Sequence, residues 1–341
     1  MNRVITDQDR EWNELILKLP VEKRDIYYTK EYYLLQKRKN CESKMFVYEN
    51  ERGDMAIYPF LKRPIEQNIF QGEFFDIETA YGYGGPLATS SEVNFLEEFE
   101  TSFLKYCAEE NIIAEFIRFH PLIKNENIFK KNIQILHNRY TVWLDLSNQI
   151  EDIWMHQIST QNRNTIRKCE KNGLKVEIGE DYFTFVEIYK QTMKKVNADA
   201  FYYFDNEYYQ KIKNNENMVL LYVKKGEDII AAAVFMVYGE FCHYHLAGSK
   251  EEFLKLSPNN LLLWEAIKYA KSRECKKFHF GGGLTDSTED SLFRFKSRFS
   301  KEKADFYIGK RIHNQPVYNA LIKQWESEHG KKAKILLQYR E

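Results

Sequence analysis

The chain has 341 residues, and its 50 Lys and Arg balance 50 Asp and Glu to a formal net charge of zero. At roughly 150 residues per domain this is enough for two domains, and the neutral balance excludes a generally basic nucleic-acid coat, a DNA-binding protein of that kind or an acidic tail protein. An apolar fraction of 43% excludes collagen-like and largely disordered chains, while an aromatic content of 15% favours a sheet-rich core with rings to line a groove.

The N-terminal stretch MNRVITDQDREWNELILKLP carries charges throughout and lacks the apolar core of a secretion signal, and no run of about 18 apolar residues follows it. A cytoplasmic protein without a membrane-spanning segment is expected. The five cysteines, Cys41, Cys107, Cys169, Cys242 and Cys275, have no short spacing, so neither a disulfide framework nor a zinc ribbon is indicated.

Residues 45–60 read as a strand, a polar turn at Gly53-Asp54 and a second strand; residues 95–121 then give an amphipathic helix, a turn and a short strand. Residues 147–179 form the middle of the chain, where Trp154, Ile158, Ile166 and Cys169 fall near helical spacing and Gly173 supplies a stop. The first half then repeats. Residues 219–235 form a hairpin around Gly226-Glu227-Asp228, and residues 261–283 give helix, turn and strand again, at an offset of roughly half the chain. Ser257-Pro258 reads as the cap and first turn of that helix. Residues 315–334 put Tyr318, Leu321, Ile322 and Trp325 on one helical stripe, expected to pack on the second half. The expected boundary lies near Ser147, giving domains 1–146 and 147–341.

Four segments carry candidate chemistry. In residues 160–171, Arg163, Arg167 and Lys171 recur every four residues beside Lys168, a cationic face that suits a diphosphate or is a solvated surface. Gly281, Gly282 and Gly283 follow the apolar strand KFHF, where they bring amides to an anion or make a tight bend. In 291–299 the period fits either a helix or a strand, and either way Lys296 sits among rings, where a desolvated cation stabilises an oxyanion or merely snorkels. In CHYH, residues 242–245, the histidines lack a third ligand for zinc and Cys242 lacks a positioned base. No metal is indicated.

The segments QNRNTIRKCEKNG (161–173), YHLAGS (244–249), SPNNLLLWEAIKYAK (257–271), FHFGGG (278–283) and DSLFRFKSRF (290–299), in this order, resemble the FemABX-like branch of the GNAT superfamily, and TAYGYGGPL (79–87) is similar to the family's first-domain Gly-Pro loop. The resemblance implies an α/β protein of two tandem GNAT-like domains, each a mixed central sheet flanked by helices. It also implies transfer of an aminoacyl group from aminoacyl-tRNA to an amine of a peptidoglycan precursor. On that reading Lys296, paired with Phe295, is catalytic. Arg163, Arg167 and Lys168 hold the precursor's diphosphate, and Tyr244, His245, Asn259, Gly281, Gly282, Gly283 and Asp290 line the substrate site.

The usual CoA-binding [RQ]xxGx[GA] loop is missing from 247–260, as a tRNA donor would allow. No bound cofactor is expected beyond the acyl donor, and the partners are a cell-wall or surface-glycan precursor, a charged tRNA and a transient membrane surface. Two rivals stand beside this reading: an acyl-CoA-dependent N-acyltransferase acting on an amino sugar of a surface polysaccharide, and a non-catalytic binding or scaffold protein indifferent to Lys296.

Overall fold

The computed structural model describes residues 1–37, 40–66 and 70–340. The chain divides into two compact units, Met1–Asn138 with Asp305–Glu341, and Arg139–Ala304. In chain order the first half forms β1 (Asn2–Thr6), α1 (Glu11–Lys18), α2 (Lys30–Gln36), β2 (Glu42–Glu49), β3 (Met55–Pro64), β4 (Phe75–Glu78), β5 (Leu87–Ala88), α3 (Val93–Glu109), β6 (Ile112–Arg118) and β7 (Ile133–Asp145). A helical turn α4 (Ile150–Asp152) runs on into a π-helical turn at Ile153–Gln157. Then follow α5 (Thr160–Lys171), β8 (Leu174–Gly179), α6 (Tyr182–Lys195), α7 (Asn206–Lys213), β9 (Met218–Lys225), β10 (Asp228–Tyr238) and β11 (Phe241–Ser249). The chain closes with α8 (Pro258–Ser272), β12 (Lys277–Gly282), α9 (Ser291–Lys296), β13 (Lys303–Ile312) and α10 (Gln315–His329).

In the first unit the strands run in the order β1-β2-β3-β4-β6-β13. Every neighbouring pair is antiparallel except β4 with β6, which is parallel. In the second unit the order is β8-β9-β10-β11-β12-β7, and again only one pair, β11 with β12, is parallel. The parallel step is the one bridged by a long helix, α3 or α8, as a same-direction return requires. The repeat is therefore longer than the sequence pattern suggested. It takes in β1-α1-α2 and β8-α6-α7 ahead of each hairpin.

Two expectations are corrected. The boundary does not lie at Ser147, and the C-terminal helix does not pack on the second half. The strand that follows β6 in the sequence, β7, gives residues 141–145 to β12, while β13 gives residues 308–312 to β6. Hydrogen-bond partners decide this, and α10 follows β13 into the first unit, where Val317 and Leu321 bury against Ile113 and Ala114.

Each unit has its own core. Phe46, Tyr58, Phe60, Phe99, Phe103 and Phe129 fill the first, with Phe103 and Phe129 stacked at 5.5 Å. Aliphatic residues of α8 and the aromatic strand residues Phe235, Phe278 and Phe280 fill the second. Much of the high aromatic content is thus spent inside.

Candidate active site

The pairing of β11 with β12 covers only Phe241 to His243 against Lys277 to His279. Beyond that point β11 pairs with β10 and β12 with β7, so the two strands part from Tyr244 and Phe280 onward. A parted pair of parallel strands leaves backbone donors and acceptors facing a gap, which is where a ligand can be held by main-chain hydrogen bonds.

Lys296 spans this split. The 291–299 segment, ambiguous by period, is helical over its first six residues as α9, and Lys296 ends it with only 7% of its surface exposed. Its Nζ donates to the Gly282 carbonyl of β12 at 2.7 Å and stands 5.8 Å from the Tyr244 ring centroid of β11. The Tyr244 ring is itself stacked on Phe235 at 5.5 Å. Desolvation pulls the lysine down to about 7, with Asp290 acting to raise it and Arg139 to lower it. Near neutral pH the side chain therefore exists in both protonation states, the condition for giving and regaining a proton within one turnover.

Asp290 builds the support. Its Oδ1 caps α9 through the amides of Leu292 at 3.0 Å and Phe293 at 2.9 Å, and its Oδ2 accepts from the amides of Leu284 at 3.1 Å and Thr285 at 3.2 Å. Burial acts to raise this carboxyl, and those amides outweigh it, holding it below the ordinary aspartate range. The three glycines make room. A Cβ on Gly283 would lie 2.5 Å from Asp290 Oδ1, one on Gly282 would lie 2.9 Å from Arg139 Cδ, and Gly281 has a φ of +78°. The tight-bend reading of the triglycine therefore has a physical cause: Asp290 and Arg139 approach the backbone here. Arg139 Nη1 then donates to the Gly283 carbonyl at 2.8 Å.

The other expected residues separate by surroundings. Phe295 is half-buried and meets Phe299 edge-on at 5.7 Å. Asn259 accepts from Ser249 Oγ at 3.0 Å, tying the start of α8 to the end of β11. Ser257 precedes α8 with a φ of +54° and its side chain caps nothing, so Pro258 alone fulfils the expected helix start. His245 is paired with Tyr208.

On α5 the cations differ in kind. Arg163 is engaged by the fold: Nη1 donates to the carbonyls of Trp154 at 3.2 Å, Met155 at 2.9 Å and Ile158 at 2.6 Å, and Nη2 to Thr160 Oγ1 at 3.1 Å. It closes the C-terminal end of the π-helical turn, whose carbonyls have no helical partners. Arg167 and Lys168 are exposed, with the Arg167 guanidinium 5.5 Å from the Trp154 ring centroid. Sequence reasoning passed over Arg139 and Tyr208, since each is a lone polar residue in a segment with no motif.

A parallel strand pair that parts after a bridging helix is the arrangement expected of a GNAT-type acyltransferase domain. Residues 159–297 match the Acetyltransferase (GNAT) domain family. A UDP-N-acetylmuramoylpentapeptide-lysine N(6)-alanyltransferase of Weissella viridescens is 21% identical over 272 residues, covering 73% of this chain and 80% of that protein. Among solved structures, FemX superposes with a TM-score of 0.71 at 16% identity, over 94% of this chain and 99% of that one. L-PGS from Bacillus licheniformis gives a TM-score of 0.57 at 13% identity, over 93% of this chain and 96% of its own. Across these matches the chain resembles the FemABX-like branch of the GNAT superfamily. Among the described residues no helix is long and apolar enough to cross a membrane.

Proposed function

We propose that this protein transfers an aminoacyl group from a charged tRNA to a primary amine on a peptidoglycan precursor, in the cytoplasm. The observation that carries the reading is Lys296, held between a β12 carbonyl and a β11 ring at the split. The kinship with an alanyltransferase that acts on the lysine of a muramoylpentapeptide supports the acceptor class.

Aminolysis of an ester requires the amine nitrogen to bond to the carbonyl carbon while negative charge gathers on the carbonyl oxygen. An ammonium in a water-poor site stabilises that charge more than it stabilises the ground-state ester. Lys296 in its protonated form supplies this, and its lowered proton affinity lets it pass the proton to the departing alkoxide as the ester bond breaks. The exposed Arg167 and Lys168 are suited to an anionic part of the precursor such as a diphosphate.

The test is a donor screen. Purified protein is offered charged tRNAs and a panel of acyl-CoAs together with an amine-bearing muramoylpentapeptide, and mass spectrometry reads which group moves. Transfer from charged tRNA is expected. Transfer from an acyl-CoA alone would replace this donor assignment, and transfer from neither would leave a binding protein.

A further inference from the structure

Each of the two parting strands carries one extra residue where the split begins. Across β10 and β11, Val234 faces Leu246 and Phe235 faces Tyr244, so His245 is bulged out of register. Across β12 and β7, His279 faces Trp143 and Gly281 faces Val142, so Phe280 is bulged likewise. Bulges beside active sites re-aim a side chain, and on β11 the re-aimed side chain is an imidazole.

That imidazole is held at one nitrogen only. Its Nε2 lies 2.9 Å from the Tyr208 hydroxyl, and its Nδ1 makes no hydrogen bond among the described residues. Tyr208 is fixed in turn: its ring stacks on Phe204 with centroids 3.9 Å apart, and its amide donates to Asp205 at 2.8 Å at the start of α7. Desolvation, with His243 nearby, holds His245 well below the usual histidine range, so the ring is neutral at any working pH. A neutral imidazole of this kind is a poor proton sink. It still passes a proton, provided one nitrogen receives as the other releases.

The reaction proposed above leaves one proton without a path, that of the attacking amine. We propose that His245 and Tyr208 form a relay that carries this proton away from the split, an inference that rests on the acyl-transfer reading. As the amine nitrogen bonds to the ester carbon and the π pair moves to oxygen, one N–H proton passes to His245 Nδ1. The Nε2 hydrogen passes to the Tyr208 oxygen, and the Tyr208 hydroxyl hydrogen passes to water. When the ester C–O bond breaks, the departing oxygen takes a proton from Lys296, which regains one from solvent. Ester and amine thereby become amide and alcohol with no net gain or loss of protons, and after product leaves His245 is reset by releasing its Nδ1 hydrogen to solvent as Tyr208 returns one to Nε2, so the imidazole is never a cation.

Tyr208→Phe keeps the ring that stacks on Phe204 and removes only the hydroxyl. Its turnover is expected to fall by about 10², as for loss of a positioned proton-transfer group, with acceptor KM unchanged. His245→Ala is expected to lose turnover likewise and to regain part of it in added imidazole. A wild-type protein that transfers the group beside a Tyr208→Phe protein of equal turnover would overturn the relay and leave the acyl-transfer reading intact. A wild-type protein inactive with every donor overturns that reading instead. Independently of any donor, ¹⁵N NMR of the resting protein should show the His245 hydrogen on Nε2 and Nδ1 bare; hydrogen on Nδ1 overturns the relay.

Discussion

Burying an ammonium costs far more than one carbonyl hydrogen bond returns, so Lys296 weakens the fold it sits in. Its proton affinity is lowered in the folded protein, to about 7, against an ordinary lysine value of about 10.4. Above the ordinary value both states are neutral and the penalty is absent; below 7 both are protonated and it is present in full; between them stability rises with pH. Lys296→Met carries no such charge. Its melting temperature, relative to wild type, should therefore climb as pH falls from about 10.4 towards 7 and then level off. Turnover of the same variant should fall by about 10² to 10³, the loss typical of one oxyanion-stabilising donor. A variant that gains stability at neutral pH while keeping its rate would remove the catalytic role. Lys296→Arg separates charge from proton transfer. Arginine stays charged, so any residual activity should lack the fall in kcat that wild type shows as pH rises through about 7.

At the scale of elements, α9 is short and depends on Asp290 for its start. Gly283→Ala would set a methyl against that carboxylate, 2.5 Å from Oδ1, 2.7 Å from Cγ and 3.1 Å from Cβ of Asp290. The expected result is loss of the cap, faster amide exchange at Leu292 and Phe293, and a fall in kcat as Lys296 shifts; unchanged exchange at those amides would show that the loop absorbs the methyl. α5 gives a second contrast. Arg163→Ala should destabilise the protein by roughly 1.5 to 3 kcal/mol through lost charge-assisted bonds, whereas Arg167→Ala with Lys168→Ala should leave the melting temperature alone and raise acceptor KM. If the pair leaves KM unchanged, that face is only solvated. The helical stripe of α5 was readable from its four-residue recurrence. Which cation was already engaged was not, because Arg163's partners are carbonyls of a π-helical turn, and periodicity does not announce such a turn.

Across the whole molecule, the order hairpin, strand, helix, strand could be read twice because hairpin turns and apolar periods are local. Lys296 was readable for the same reason, as a cation between phenylalanines. The exchange of β7 and β13 was not: an amphipathic strand shows which face is buried and leaves open which neighbour its edge will meet. What fixes β13 is a buried charge. Arg311 is 1% exposed, donates through Nη2 to Glu100 at 2.6 Å, stands 3.5 Å from Glu115, and lies over the Phe129 ring at 4.6 Å. Burial acts to raise the Glu115 carboxyl, but Arg311 and His313 outweigh it and hold it below its ordinary value. The pair therefore stabilises above the unfolded glutamate value of about 4.3, and that contribution is lost as pH falls through the lower folded value. Removing the cation strands two carboxylates in an aromatic core. Arg311→Met should cost about 3 to 5 kcal/mol at neutral pH, with hydrogen exchange quickening along β6 first, since β6 is the strand that β13 covers. Without Arg311 the burial of Glu115 is no longer outweighed and its carboxyl is pushed up, so the variant is relieved by protonation earlier than wild type and the gap between them should narrow as pH falls from 7. A gap that stays constant from pH 7 to 4, or β6 amides that keep their protection, would mean that α10 rather than Arg311 holds the exchanged strand in place.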